Sequence, residues 1–136
     1  MEDYIMEKIM WIGAGGAVGA VLRYAISGAV QGMAKDEGFP FGTLAVNLLG
    51  CLLVGFLLCV VEMRGTFSAD ARAFIFIGLL GALTTFSTFS NDSMTLLQNG
   101  GGFSGMLLNI GANTGLGLLM VWLGSLLGNW VCGGGA

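Results

Sequence analysis

The 136-residue sequence has no histidine, one proline, three cysteines and thirteen charged side chains, five basic and eight acidic. Each scarcity closes off a class of function. Without histidine or clustered thiolates there is no ligand set for a soft metal or a redox centre. Three cysteines cannot complete a set of intrachain disulfides, and Cys51 and Cys59 on one predicted helix stand about 12 Å apart at its rise per residue. The net charge of −3 disfavours nucleic acid as a partner. No constellation of catalytic side chains is present, so no enzymatic activity is expected.

Charge is scarcest along the middle of the chain. Uncharged runs at 38–61, 73–91 and 93–136 are each long enough to cross a bilayer at about 20 residues per helix. A first candidate span runs from Ile9 to about Ala29 and holds one charge, Arg23, near its far end, where a long side chain can snorkel to the headgroups. What remains is apolar: 55% of residues are hydrophobic and 25 are glycine. The run Leu48 to Leu58 is apolar on every side, unlike the alternation of a transmembrane barrel, and the acidic start (Glu2, Asp3, Glu7) is unlike a signal peptide. The expected fold class is an all-α membrane protein. One four-helix transmembrane domain occupies residues 1–136, with helices at about 9–32, 42–62, 73–98 and 104–130 and no extramembrane domain. Pro40, which lacks an N–H, suits the start of the second helix, and Gly100-Gly101-Gly102 makes the last turn.

Orientation is weakly specified. Four spans put Lys8, Arg64 and Arg72 on one side, against Lys35 and, by snorkelling, Arg23 on the other, so the bias that sets topology is small. This predicts insertion in both senses, which would permit antiparallel dimers, with a single orientation of modest bias as the alternative. Four helices fill their own middle with side chains, which moves any transport path to a surface between subunits. Small residues at Gly15/Gly19, Gly111/Gly115 and Gly124/Gly128 allow close helix approach; which of them faces a second subunit is left open.

The third span is the most informative, because polar groups in lipid need partners. From Thr84 to Asp92, seven of nine residues can hydrogen-bond. Each hydroxyl alone can back-bond to the preceding turn, but that leaves the cluster as a whole unexplained. Gly78, Gly81 and the pair Thr84-Thr85 mark a point where the helix can unwind and free carbonyls for a cation. Phe86 and Phe89 share a helical face and can turn positive ring edges toward an anion, with ordinary packing as the alternative. Thr43 and Asn47 on the second helix, and Asn109 and Asn113 on the fourth with Thr114 alongside, form polar ladders. Their N–H donors can replace water around a small anion or can simply join helices. Asp92 faces water or the mouth of an ion path, and Arg23 anchors its helix or draws anions inward.

The segments Gly15-Gly16-Ala17-Val18-Gly19-Ala20-Val21-Leu22-Arg23-Tyr24, Phe39-Pro40-Phe41-Gly42-Thr43-Leu44-Ala45-Val46-Asn47-Leu48-Leu49-Gly50 and Gly81-Ala82-Leu83-Thr84-Thr85-Phe86-Ser87-Thr88-Phe89-Ser90 resemble the fluoride channels of the CrcB/Fluc family. The resemblance covers about residues 12–128 in order, and the Thr-Thr-Phe-Ser-Thr-Phe block is its most specific part. It implies a broken third helix and an antiparallel, dual-topology homodimer in the cell's inner (plasma) membrane. It also implies two fluoride paths along the subunit interface and a central sodium ion that is structural and not transported. Asn47 would hydrogen-bond fluoride, Phe86 and Phe89 would form the aromatic boxes, and Thr43, Ser87, Thr88, Ser90, Asn109 and Asn113 would line or brace the path. Arg23 and Asp92 would sit at a vestibule, and the backbone carbonyls of Gly81 and Thr84 would hold the sodium. The chain departs from the family pattern at Ala82, usually glycine, at Asn109 and Asn113, usually Tyr and Ser, and at Asp92, often glutamate.

Fluoride is small and strongly hydrated, so a selective path needs dense N–H and O–H donors that still release the ion. Passive conduction out of the cell to relieve fluoride toxicity is the expected function. The rival is a small multidrug-type proton-coupled transporter, which also uses four short spans. It needs a membrane-embedded carboxylate, and the first helix has none between Lys8 and Asp36. A scaffold that only packs against other membrane proteins would explain the glycines but not the third-helix cluster.

Overall fold

The computed structural model describes residues 2–34, 38–65, 67–99 and 101–133. Lys35 in the charge count, Gly100 in the predicted turn and Gly134, Gly135 and Ala136 of the tail therefore lie outside the described residues. All the regular structure described is helical. Among the described residues four helices are long and apolar enough to cross a membrane, which makes this a multi-pass membrane protein.

The first span is an unbroken helix, Glu2–Met33, of 32 residues. At helical rise this is about 48 Å, longer than an apolar layer of about 30 Å, so the helix has length to spare for a crossing. The second, Phe41–Arg64, starts immediately after Pro40, and Gly65 closes it in the left-handed conformation with its N–H on the Val61 carbonyl. Gln31 from the first span fastens its start. The Gln31 side chain donates to the Phe39 carbonyl at 3.1 Å and accepts the Gly42 N–H at 3.1 Å, satisfying one of the donors that a helix start leaves orphaned.

The third span, Ala69–Gln98, is in two pieces. Ser68 caps a short α turn, Ala69–Arg72, by accepting the Ala71 N–H at 3.1 Å. The helix then widens into π turns over Ala73–Leu80, tightens at Gly81–Leu83, breaks at Thr84 and Thr85, and restarts as Phe86–Gln98. The fourth span carries a second π segment, Ala112–Leu116, between Gly102–Gly111 and Gly117–Cys132. π turns are uncommon and gather at functional sites. The first leads into the break, and the second lines the same groove as the break through Asn113 and Thr114.

Glycines set the packing. The first span lies on the first piece of the third: a methyl on Gly15 would strike the Phe74 carbonyl, and one on Gly19 the Leu79 carbonyl. The second span lies on the fourth in the same way, through Gly55 against Val121, Gly124 against Leu52 and Gly128 against Cys59. So two of the three small-residue pairs are used inside the chain. The third differs, since Gly111 and Gly115 have nothing within 4 Å and face outward. The largest fully buried side chains are Leu83, Val46 and Asn109, which puts an amide among the most deeply buried groups of an otherwise apolar bundle.

Candidate functional site

The break in the third span is a redistribution of backbone hydrogen bonds. Thr84 (φ −84°, ψ 157°) and Thr85 (φ −149°, ψ 118°) are extended, a conformation that suits two adjacent β-branched residues. In a continuous helix the Thr85 N–H would reach the Gly81 carbonyl, and the Thr88 N–H the Thr84 carbonyl. Here the Thr85 N–H donates to Asn47 Oδ1 at 2.9 Å, and the Thr88 N–H donates to Thr85 Oγ1 at 3.2 Å. Thr85 thereby caps the second piece of the span. The carbonyls of Gly81 and Thr84 lose their helical donors, and both residues line the same groove.

Asn47 on the second span clasps the break from the side. Besides accepting the Thr85 N–H, its Nδ2 donates to the Thr85 carbonyl at 3.3 Å, so one amide pairs with both backbone groups of one residue. Its remaining N–H donates to Asn113 Oδ1 at 2.9 Å. From there a ladder runs into the bundle. Asn113 Nδ2 donates to the backbone and side-chain oxygens of Asn109, both at 3.0 Å. Asn109 Nδ2 donates to Ser93 Oγ at 2.9 Å, and Ser93 Oγ donates to the Phe89 carbonyl at 2.8 Å. Among the described residues no buried side-chain nitrogen or oxygen lacks a partner.

Beside this ladder lies an open groove of about 430 Å³. Its lining includes Asn47, Gly81, Thr84, Thr85, Phe86, Phe89, Asn113 and Thr114 of the residues singled out from sequence, together with Gly50 and Cys51. The two phenylalanine rings stand 5.6 Å apart at 58°, yet their surroundings differ. Phe89 is 9% exposed and Phe86 is 80% exposed, so the second ring stands clear of its own chain.

The remaining candidates are elsewhere. Thr43 does not join Asn47 at the groove: its Oγ1 donates to Asp92 Oδ2 at 2.7 Å, and both line a second cavity of about 470 Å³ with Ser27 and Gln31. Asn109 is fully buried and opens onto neither cavity. Ser87, Thr88 and Ser90 stand outside the groove lining within one chain; Ser90 Oγ back-bonds to the Phe86 carbonyl at 2.9 Å, and Thr88 Oγ1 accepts from Thr85 Oγ1 at 2.9 Å. Arg23 is half-buried on the first span and lines neither cavity. Sequence reasoning missed Thr85 as the residue held by Asn47, Ser93 as the ladder's inner end, and Gln31 as a cap. The Thr84-Thr85 pair was a signal for the first; nothing local marks the other two, whose partners come from other spans.

Among the described residues no three His, Cys, Asp or Glu side chains gather, and the three cysteines are free. A cation at this site would therefore depend on backbone oxygens, which the break supplies.

Residues 10–125 match the model of a family described as CrcB-like protein, Camphor Resistance (CrcB). The chain is 51% identical over 115 residues to a protein of Pseudoalteromonas translucida, covering 83% of this chain and 92% of that one. It is 44% identical over 129 residues to one of Dehalococcoides mccartyi, covering 91% and 94%. A protein of Shewanella halifaxensis is 43% identical over 122 residues, covering 90% and 96%. All three of those proteins are named fluoride-specific ion channel FluC.

Proposed function

The chain belongs to the CrcB family, and we propose that it is a fluoride-selective channel that conducts the ion passively out of the cell across the inner membrane, lowering its toxicity. The observation that carries this reading is the Asn47 amide, pinned on the broken third span and facing a groove edged by Phe86 and Phe89. A neutral N–H donor and the positive rims of two rings can compensate a dehydrated anion without binding it as tightly as a charged group would. Arg23 raises the local anion concentration, and Thr43 with Asp92 forms the mouth of the path.

Two chains in opposite orientation complete the site. Three features support this: the small difference in Lys and Arg between the two sides, the unspent Gly111 and Gly115, and a Phe86 ring left outside its own chain. In such a dimer Ser87, Thr88 and Ser90 gain a second wall, and the Gly81 and Thr84 carbonyls of both chains together offer four oxygens. Oxygen donors released from helical bonding suit a hard cation such as sodium, whose charge would tie the two broken spans together. The released carbonyls are the feature that fits this ion; the ion itself is structural and does not move.

Fluoride efflux from liposomes holding the purified protein, with chloride as the control ion, tests the reading. Efflux of fluoride well above the protein-free rate, with chloride unmoved, is the expected result. Equal efflux of both ions, or of neither, would overturn it.

A further inference from the structure

The asparagine ladder has a direction, and its two ends set it. An amide can turn over, so which of its atoms faces which neighbour depends on partners that cannot. The Phe89 carbonyl only accepts, which makes Ser93 the donor there and leaves Ser93 Oγ to accept from Asn109 Nδ2. Asn109 Oδ1 then faces Asn113 Nδ2, and the oxygen of Asn113 is turned toward Asn47. At the other end the Thr85 N–H only donates, which puts Asn47 Oδ1 on it and Asn47 Nδ2 toward Asn113. Both ends demand the same orientation at the junction between Asn47 and Asn113.

This allocation leaves one contested hydrogen. One N–H of Asn47 is committed to the Thr85 carbonyl as half of a paired contact with that residue. The other, given to Asn113 Oδ1 at 2.9 Å, lies where Asn47 and Asn113 both border the groove. We infer that Asn113 Oδ1 is a displaceable internal acceptor that competes with a passing fluoride for this N–H, so that Asn113 sets how loosely the path holds the ion. The inference rests on the channel reading above and adds to it a role opposite to that of a lining donor. Asn113 weakens binding, because its own N–H groups are held by Asn109 and only its oxygen is presented. Fluoride, carrying full charge, accepts this hydrogen bond when it arrives, and Asn113 Oδ1 accepts it again when the ion leaves, the hydrogen staying on Asn47 Nδ2 throughout.

The test is the fluoride-concentration dependence of efflux from liposomes. Asn113→Val removes the competitor and lowers the half-saturating fluoride concentration about fivefold, the equivalent of one neutral hydrogen bond. Asn113→Asp keeps an oxygen toward Asn47 and adds negative character, so it raises the half-saturating concentration. A merely structural role would cut maximal efflux in both variants without moving half-saturation in opposite directions. Should Asn113→Val fail to assemble, Asn113→Ala carries the same expectation. Efflux present in the unaltered protein, with half-saturation unmoved or raised by removing the side chain, overturns this inference alone. No efflux from the unaltered protein overturns the channel reading and this inference together.

Discussion

Replacing Asn47 with leucine keeps the branched outline of the side chain and deletes every hydrogen bond that Asn47 makes. Three hydrogen bonds disappear: to the Thr85 N–H, the Thr85 carbonyl and Asn113 Oδ1. Hydrogen bonds between membrane helices contribute about 0.6 kcal/mol each, so three amount to about 2 kcal/mol. The cost rises where the freed Thr85 N–H finds no water, since an unsatisfied donor adds about 1–3 kcal/mol. The Asn47→Leu protein should therefore lose about 2–4 kcal/mol of stability in reversible unfolding in mixed detergent micelles. Efflux should fall further than stability explains. A hydrogen bond to a charged partner is worth about 1.5–3 kcal/mol, which corresponds to a loss between about tenfold and hundredfold. A folded variant less than about 0.5 kcal/mol destabilised would refute the clasp, and one that conducts fluoride at the unaltered rate would refute the path.

Other substitutions separate the roles of neighbouring positions. Gly19→Ala drives a methyl into the Leu79 carbonyl and should cost about 1–3 kcal/mol or more by prising the first span from the third, whereas Gly115→Ala meets nothing in its own chain. If Gly115 lies between two chains, its alanine variant changes the dimer fraction measured by crosslinking and spares the monomer fold. Phe89→Ala should cost about 3–5 kcal/mol because the ring is nearly buried. Phe86→Ala, at an exposed ring, should leave chain stability within about 0.5 kcal/mol yet reduce efflux; equal stability losses at the two positions would contradict the difference in their surroundings. Exchanging sodium for a bulky organic cation during purification should lower efflux or dissociate the dimer, and indifference to that exchange would count against a carbonyl-held sodium ion.

Much of the fold is legible in the residues because lipid imposes a simple rule. A long uncharged run must be a helix, since only a helix satisfies its own backbone in hydrocarbon. The weak point at Thr84-Thr85 was legible for a related reason: two β-branched residues beside glycines resist helix, and the polar cluster that follows needs partners. Helix ends were less so. The first helix runs from Glu2 because charged residues can continue a helix beyond the membrane as easily as they can end one. Nor do the π turns at Ala73–Leu80 and Ala112–Leu116 have a signature in composition.

Spacing misleads where it is applied to one helix at a time. Thr43 and Asn47 are an i,i+4 pair, yet Thr43 turns to Asp92 on the third span while Asn47 turns to Thr85. Two positions on one helical face, separated by a rise of about 6 Å along the axis, can still serve two different cavities. Asn109 and Asn113 do touch, as their spacing suggests, but one is sealed inside the bundle and the other reaches the groove.

The sequence by itself determined the solvent, the four crossings, the place of the break and the scarcity of charge, since each follows from the transfer energy of side chains and the local stiffness of threonine. Only the tertiary structure decided which donors are spent and which remain. A hydrogen bond is a relation between two groups, and here the partners of Asn47, Asn109 and Gln31 are brought to them by other spans. Whether an amide faces an ion or another amide depends on which helix lies next to it.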